Sequence, residues 1–493
     1  MSRKVIGKVK VKGFLVAQSP ISVGGAGTGE HVDLELAEDG TGQCYIPGTS
    51  LAGPMRAWIE KRWGKELAND IFGYINQKTD GGMASPLFIS DGPIKSESII
   101  ENIGRERRHG ISIQDATGTT REGFFYTRAL LPRGTCLPLN MELDILEGES
   151  YPHGHPAGAL ARLLTALQNG EIRFGACKTR GMGTVALQEL KVDYYDFAKP
   201  EALAQWLGEE PSSSRGLEAL SGFSVPAPKE TKTCAVTVKW TAKSPLMVKA
   251  GRDGVEADML PLMSGVRRGL DTKKKVAPVI PGSSIKGVLR SQARKILNTL
   301  FDPDYDPKYD GEKQNEERWE ILSSLFGSKE AAGHLSVSDV YYDANNPIPL
   351  GKWLDEDTDA MNTVTEKRQH VAIDRFTGGA SDSALYSARP VKRDEENESG
   401  WEPIHLTLDE SNALSEENVK KEQALIKLLL RDMKDGYITI GFGSRRGLGE
   451  IEVKEIDYGA GFPEDSELQS AWDDFVSSEG KDFDVDKEED DDA

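Results

Sequence analysis

Cysteine is scarce in this chain. Its 493 residues include only four, Cys44, Cys136, Cys177 and Cys234, widely scattered and forming no CxxC pair. That pattern argues against a disulfide framework and against a cysteine zinc site, and it suits a reducing, cytoplasmic compartment. Long apolar runs are missing too. No stretch of about 18 apolar residues occurs, so no membrane-spanning helix is expected. The opening MSRKVIGKVKVKGF has no apolar core of the signal-peptide kind. A Ser-His-Asp order, an HExxH pair and a P-loop are all absent, which removes the commonest hydrolase, zincin and nucleotide-hydrolase readings. GGAGTGE (24–30) only imitates a dinucleotide fingerprint, because no βαβ context surrounds it. His153 and His155 in YPHGHPAG have no carboxylate or thiol beside them in sequence, which disfavours a metal there.

What is abundant is acid. The formal net charge is −20. It is unevenly placed: Pro463–Ala493 holds 14 acidic residues and 2 lysines, a net of −12, which leaves −8 for the rest. A segment such as KDFDVDKEEDDDA cannot bury apolar surface, so a disordered tail is expected from 461 to 493. A mildly acidic body can still carry a basic groove, because phosphate binding depends on local charge. Local cation clusters exist at Arg105, Arg107 and Arg108, at Arg267, Arg268 and Lys273–Lys275, and at Arg445 and Arg446.

The length suggests two to four domains, and an internal repeat decides the count. IPGTSLAGPMR (46–56) recurs as IPGSSIKGVLR (280–290). QSPISVGG is echoed by KSPLMVKAG, HVDLEL by EADMLPL, and FGACKTRGMGTV (174–185) by FGSRRGLGEI (442–451). IQDATGTTREGFFYTR is echoed by AIDRFTGGASDSALYSAR. The order is the same in both halves, and the offset grows from 225 residues at Asp33/Asp258 to 268 at Phe174/Phe442. The expected division is a first module at 1–195, a Ser/Pro/Gly-rich linker at 196–232, a second module at 233–460, and the tail. Insertions in the second module should form loops or lobes.

Each module opens with an alternating strand, KVKVKGFLVA or TCAVTVKWTAK. A Pro-Gly turn then starts a helix, with Thr49-Ser50 or Ser283-Ser284 placed at its N-cap. LFISDG, HLSVSDV, NMELDIL and IHLTL read as strands. LARLLTALQNG and QALIKLLLRDM read as helices, each followed by a further strand. This succession indicates an α+β fold: two tandem ferredoxin-like sandwiches.

Four elements of each module bear on chemistry. The IPGxSxxGxxR helix start offers backbone N–H groups and Ser50 or Ser284 to an anionic oxygen, with Arg56, Lys286 and Arg290 further along. An ordinary capped helix explains one copy, and recurrence favours phosphate contact. The late Gly-rich loop carries Lys178 and Arg180, or Arg445 and Arg446, where glycine lets backbone approach a phosphate. A basic-polar hairpin carries Asp115, Thr117 and Arg121, or Asp374, Arg375 and Thr377, with Phe124, Phe125, Tyr126 and Tyr386 nearby. Lastly, Asp33 and Asp258 each follow a Gly-containing loop. A carboxylate among phosphate-binding elements is unfavourable unless it binds a metal or moves a proton, though a plain surface Asp is the competing reading.

The IPGxSxxGxxR, DATG/DRFTG and FGxxxxxGxG motifs, in this order and twice, resemble the RAMP superfamily (repeat-associated mysterious proteins). The likeness is greatest to Cas-seven-type backbone subunits of type III CRISPR–Cas effector complexes, and the tandem form resembles the double-backbone proteins of type III-D. It covers nearly all of 1–195 and 233–460. The resemblance implies RRM-like palms with hairpin thumbs, stacked head to tail along a guide CRISPR RNA. It further implies that thumbs displace bases at regular intervals and that a loop Asp cuts the complementary target RNA. Asp33 in VDLEL fits that acid; Asp258 fits through EADML, with Asp253 as a competitor. Guide phosphates would meet Ser50, Arg56, Lys178 and Arg180 in one module and Ser284, Lys286, Arg290, Arg445 and Arg446 in the other. Mg2+ or Mn2+ would be required, held at Asp33 and Asp258. Partners would include a large polymerase/cyclase-like subunit and other backbone and small subunits. A non-catalytic scaffold and a guide-processing ribonuclease remain alternatives.

Overall fold

The computed structural model describes residues 4–25, 32–76, 81–94, 106–114, 119–148, 151–212, 214–250, 254–266, 275–301, 320–381, 384–395, 399–412, 415–459 and 461–489. In β1 (Val5–Ala17) the alternation is physical: Val9, Val11 and Leu15 are buried, while Lys8, Lys10 and Lys12 take the other face. The chain continues through α1 (Gly48–Trp63), α2 (Lys65–Phe72), β2 (Leu87–Ile89), β3 (Glu106–Ile113), β4 (Thr120–Leu130), β5 (Cys136–Leu146), α3 (Pro156–Gln168) and β6 (Val185–Asp196). β6, β1, β5 and β2 form one antiparallel sheet in that order. Leu51, Met55 and Ile59 of α1 recur every fourth residue and meet Val9, Val11 and Leu15, together with Leu160, Leu163, Leu164 and Leu167 of α3. β3 and β4 pair only with each other, as a hairpin outside the sheet.

The second module repeats the plan. After α4 (Pro200–Leu207) come β7 (Thr233–Ala242), α5 (Gly282–Phe301), α6 (Glu320–Phe326), β8 (Leu335–Val337), the short hairpin strands β9 (Arg368–His370) and β10 (Tyr386–Ala388), β11 (Ile404–Asp409), α7 (Glu416–Lys434) and β12 (Ile451–Tyr458). Its sheet order, β12–β7–β11–β8, matches β6–β1–β5–β2 of the first module, which has one further short strand, Ser214–Arg215, beside β6. The expected α+β tandem is therefore the observed one. One expected lobe is present: Ile348, Leu350, Trp353, Met361 and Val364 share a small core of their own with Ala257, Leu260 and Val276.

Two boundaries differ from expectation. The stretch 196–232, read as a linker, is built onto the first module. Trp206 of α4 lies under the amines of Lys8 and Lys10, 5.0 and 5.4 Å from its ring centre. Leu217, Leu220, Phe223 and Val225 join the first core, and Lys229 N–H donates to the Arg62 carbonyl at 2.8 Å. These few apolar residues are hidden in a Ser/Gly/Pro-rich composition. The tail, read as disordered from 461, opens instead with a helix, α8 (Asp465–Glu489). Leu468, Ala471, Trp472 and Phe475 fall on one helical face and are buried; Leu468, Trp472 and Phe475 belong to the second core. Burying each large side chain contributes about 1.5–3 kcal/mol, enough to hold a turn or two despite the surrounding acid. Side chains from 478 onward lie outside the described residues.

The modules are joined by charge. Arg108 of β3 is 5% exposed. Its guanidinium donates to Glu106 at 2.8 Å, to Asp339 of the second module at 2.6 Å, and to Ser264 at 3.3 Å. Ser264 in turn donates to the other Glu106 oxygen at 2.8 Å. Burial opposes the charge on Arg108, but the two carboxylates outweigh that and hold it more firmly protonated than usual. At the rim, Lys61 binds Asp409 (2.6 Å) and Arg133 binds Glu402 (2.9 Å). Removing one member of a buried ionic cluster strands the others, at a cost of about 3–5 kcal/mol. Arg108→Ala should therefore cost that much in denaturant unfolding and separate the transitions of the two modules. A single transition displaced by less than about 1 kcal/mol would show that the cluster does not hold them together.

Candidate nucleic-acid interface

Asp33 and Asp258 occupy the same place in their modules. Asp33 Oδ2 accepts the backbone N–H of Thr127 at 2.7 Å, and Asp258 Oδ2 accepts that of Ser387 at 2.7 Å. Thr127 lies on β4 and Ser387 on β10, at matching points near the base of each hairpin. The backbone repeats as well: Leu34 N–H donates to the Thr127 carbonyl and Met259 N–H to that of Ser387. Both carboxylates are exposed. The Ser387 N–H, and then its hydroxyl (2.9 Å), hold Asp258 below the ordinary carboxylate range, so it is ionised at neutral pH. Asp253, the competing acid, lies outside the described residues; the correspondence with Asp33 belongs to Asp258.

The Gly-rich loops meet the hairpins. Arg180 donates to the Tyr126 hydroxyl at 3.3 Å, and Arg446 binds that of Tyr386. In each module the tyrosine precedes the residue that fixes the aspartate. Two elements far apart in sequence are thus brought to one place. Gly183 and Gly449 turn these loops at φ +88° and +79°, and a Cβ there would sit 2.2 and 2.1 Å from the carbonyls of Phe174 and Ile440. Only glycine closes so tightly. Arg180, Arg445 and Arg446 are exposed, whereas Lys178 is half-buried and burial lowers its pKa.

Each hairpin shows apolar surface. Ile111, Ile113, Phe124 and Phe125 are exposed on the first, and Val371, Ile373, Phe376 and Leu385 on the second. Arg121 stacks its guanidinium 5.7 Å from the Phe124 ring centre. Asp374 makes the expected turn, accepting from Phe376 N–H, Thr377 N–H and the Thr377 hydroxyl at 2.8–3.0 Å, with Arg375 exposed beside it. Asp115 and Thr117 lie outside the described residues. No histidine adjoins a Gly-rich loop in sequence, yet His370 stacks on Tyr386 with ring centres 5.0 Å apart, one ring away from Arg446. His155, by contrast, caps α3 through Ala157 N–H and stacks on Phe223, so it is structural.

The IPG helices correct several expectations. Neither Thr49-Ser50 nor Ser283-Ser284 is the cap, because the helices begin at Gly48 and Gly282. Their first N–H groups donate to Asp91 Oδ1 (2.7 Å) and Asp339 Oδ1 (2.8 Å). A carboxylate already satisfies each helix start, which weakens it as an anion site. Ser50 and Ser284 stay half-buried in the first turn. Arg56 donates to the Gly73 carbonyl and Asn69, and Arg290 to the Gly327 carbonyl. The arginines recur because both modules fasten the end of the following helix this way, not because they reach a phosphate. Lys286 is also withdrawn: it is 6% exposed and donates to the Leu335 carbonyl at 2.7 Å. Asp91 and Asp339 escaped the sequence reading, although the Ser-Asp that ends FISD and SVSD was a repeated signal.

Among the described residues no group of three or more His, Cys, Asp or Glu side chains is placed to hold a metal. Each hairpin base offers one carboxylate, with one oxygen already accepting a backbone bond. A divalent ion would fit only if nucleic-acid phosphates and water completed its shell, a common habit of Mg2+.

Burial, then the charges of Arg180 and Arg290, lower Lys286 to about 7. The unfolded chain therefore binds the extra proton between about pH 7 and pH 10.5, and stability rises with pH across that window. Lys286→Met should raise the melting temperature, by more at pH 6 than at pH 9. An equal change at both pH values would show that the amine is not held neutral by its surroundings.

The duplicated sequence matches known proteins. The family model described as RAMP superfamily matches residues 14–186 and again 241–452. The CRISPR system Cms endoribonuclease Csm3 of Streptococcus thermophilus is 28% identical over 171 residues, covering 34% of this chain and 67% of that protein. With the same model fitting both halves of the chain, and each half folded to the same plan, this protein belongs to the RAMP superfamily.

Proposed function

We propose that the chain is a double backbone subunit of a type III CRISPR effector complex. It binds guide CRISPR RNA along both modules and cuts complementary target RNA beside each hairpin, through Asp33 and Asp258. The observation that carries this reading is the identical tether of the two aspartates to the hairpin bases, each beside a tyrosine-bound arginine. That the Streptococcus thermophilus relative is an endoribonuclease of a CRISPR system supports it.

The chemistry follows from these groups. Exposed apolar side chains at the hairpins part the stacked bases and leave one ribose free to turn. Its 2′-oxygen can then align with the adjacent phosphorus. The ionised aspartate assists loss of the 2′-proton, and Arg180 or Arg446 stabilises the charge that grows on the phosphoryl oxygens. The 2′-oxygen bonds to phosphorus as the bond to the 5′-oxygen breaks, and the departing oxygen takes a proton from solvent, which gives a 2′,3′-cyclic phosphate and a 5′-hydroxyl. Mg2+ or Mn2+ at Asp33 and Asp258 would add further charge stabilisation. Guide phosphates fall to Ser50, Lys178, Ser284 and Arg445, and base pairing selects the target. The other effector subunits join through the same assembly.

Asn can accept the same backbone N–H without carrying charge. Asp33→Asn and Asp258→Asn should each erase one specific cut, by about 100-fold or more, while assembly with guide RNA persists. Undiminished cutting in the double variant would favour a non-catalytic scaffold. His370, stacked on the tyrosine that binds Arg446, supports the guide-processing alternative. Cleavage of repeat RNA by the isolated chain, lost in His370→Gln, would establish that activity instead.

A further inference from the structure

The two aspartates are aimed by the same backbone bonds but seated in different cores. Val32 and Leu36, on either side of Asp33, belong to the main core of the first module. The neighbours of Asp258, Ala257 and Leu260, belong instead to the small lobe, where they pack with Trp353, Met361 and Val364. No residue from 254 to 266 enters the main core of the second module. The second aspartate therefore follows the lobe, which is built on the short helices Leu350–Leu354 and Thr358–Val364.

Two polar side chains fasten the lobe around that aspartate. Glu356, in the turn between the two helices, has φ +52°, a conformation a non-glycine residue seldom takes. Its carboxylate accepts the Val255 N–H at 2.9 Å and the Glu256 N–H at 2.7 Å, just ahead of Asp258. Arg389 acts from the hairpin side. Its N–H donates to the Met259 carbonyl at 2.9 Å, as the Ala129 N–H does to that of Leu34 in the first module. The side chains at this matched place differ. Arg389 is 2% exposed, and its guanidinium donates to Asn362 at 3.0 Å and to the Thr365 hydroxyl at 3.3 Å, at the end of the second lobe helix. Burying a guanidinium is costly unless such bonds are kept. The lobe thus cannot shift without the strand that carries Ser387, whose N–H and hydroxyl hold the Asp258 carboxylate.

We infer that the lobe positions the second cleavage site: Glu356 and Arg389 fix the direction of the Asp258 carboxylate, and the second cut depends on them while the first does not. Both are positioning residues, acting through the loop and strand that hold Asp258 and not on the RNA itself. The first site needs no such device, because its loop is anchored directly in the core under the sheet. This inference rests on the cleavage reading proposed above and assigns residues to one of its two sites.

Single-turnover cleavage of one target strand carrying both sites, by the full chain assembled with guide RNA, tests the assignment. Glu356→Ala and Arg389→Met should each slow the second cut about tenfold or more, since a small misplacement of a reacting group is costly. Glu356 lies outside the lobe core, so its replacement leaves that core intact. The first cut, on the same strand, should keep its wild-type rate. Affinities for guide and target should not move, so that the loss lies in the rate of the bound complex. Glu356→Gln keeps an oxygen for the two N–H groups and should restore most of the second cut. A second cut at wild-type rate in both variants, both cuts falling together, or a Glu356→Gln chain no better than Glu356→Ala overturns the inference. Asp258→Asn, run beside them, separates the two claims. If it erases the second cut while the lobe variants do not, the positioning role fails and the cleavage reading stands. If it leaves the second cut intact, the cleavage reading has failed and the inference falls with it.

Discussion

The arrangement of this molecule depends on one buried guanidinium. Arg108 reaches from the first hairpin into the second module and is met there by Asp339, whose other oxygen starts helix α5. A charge so deeply buried is tolerable only when it is fully bonded, so its neighbours are fixed in direction as well as distance. One ionic cluster thus sets three things together: the base of a hairpin, the start of a helix, and the register of one module on the next.

That register gives the duplication its meaning. Two copies of a fold joined by a loose tether would place their aspartates at variable separation. Here the stretch between the modules is pinned to the first core, and Lys61–Asp409 and Arg133–Glu402 close the rim. The hairpin bases therefore stand at a set spacing. On the proposed reading, the interval between cuts is a property of the protein junction and not of the RNA.

The sequence showed the fold because its signals were periodic and repeated. Alternation in β1 and β7, and the same motif order in both halves, required the observed plan. The matched placement of Asp33 and Asp258 was likewise readable, since the same short motif precedes the helix start in both halves. What misled was chemistry without geometry. Arg56, Lys286 and Arg290 look like phosphate ligands in a list of residues, but each turns inward to a carbonyl. Asp91 and Asp339 look like strand-end acids, yet each caps a helix that begins more than 40 residues upstream of it. Composition misled at the C-terminus in another way, because Leu468, Trp472 and Phe475 occupy one helical stripe within a strongly acidic segment.

An acidic protein that grips RNA must keep its acid away from the phosphates or make use of it. Both occur here. The carboxylates of the junction are neutralised by Arg108 or consumed as helix caps. Those of the rim are paired with Lys61 and Arg133. The exposed cations Arg180, Arg445 and Arg446 stand where the hairpins begin. Asp33 and Asp258 remain as exposed acids in that basic setting, each held by a backbone bond that fixes its direction without cancelling its charge. A lone carboxylate of this kind is a weak base and a poor metal cage by itself. On the proposed reading its effect must come from position: the hairpin distorts one nucleotide step, and the acid is already aimed at the step that has been distorted.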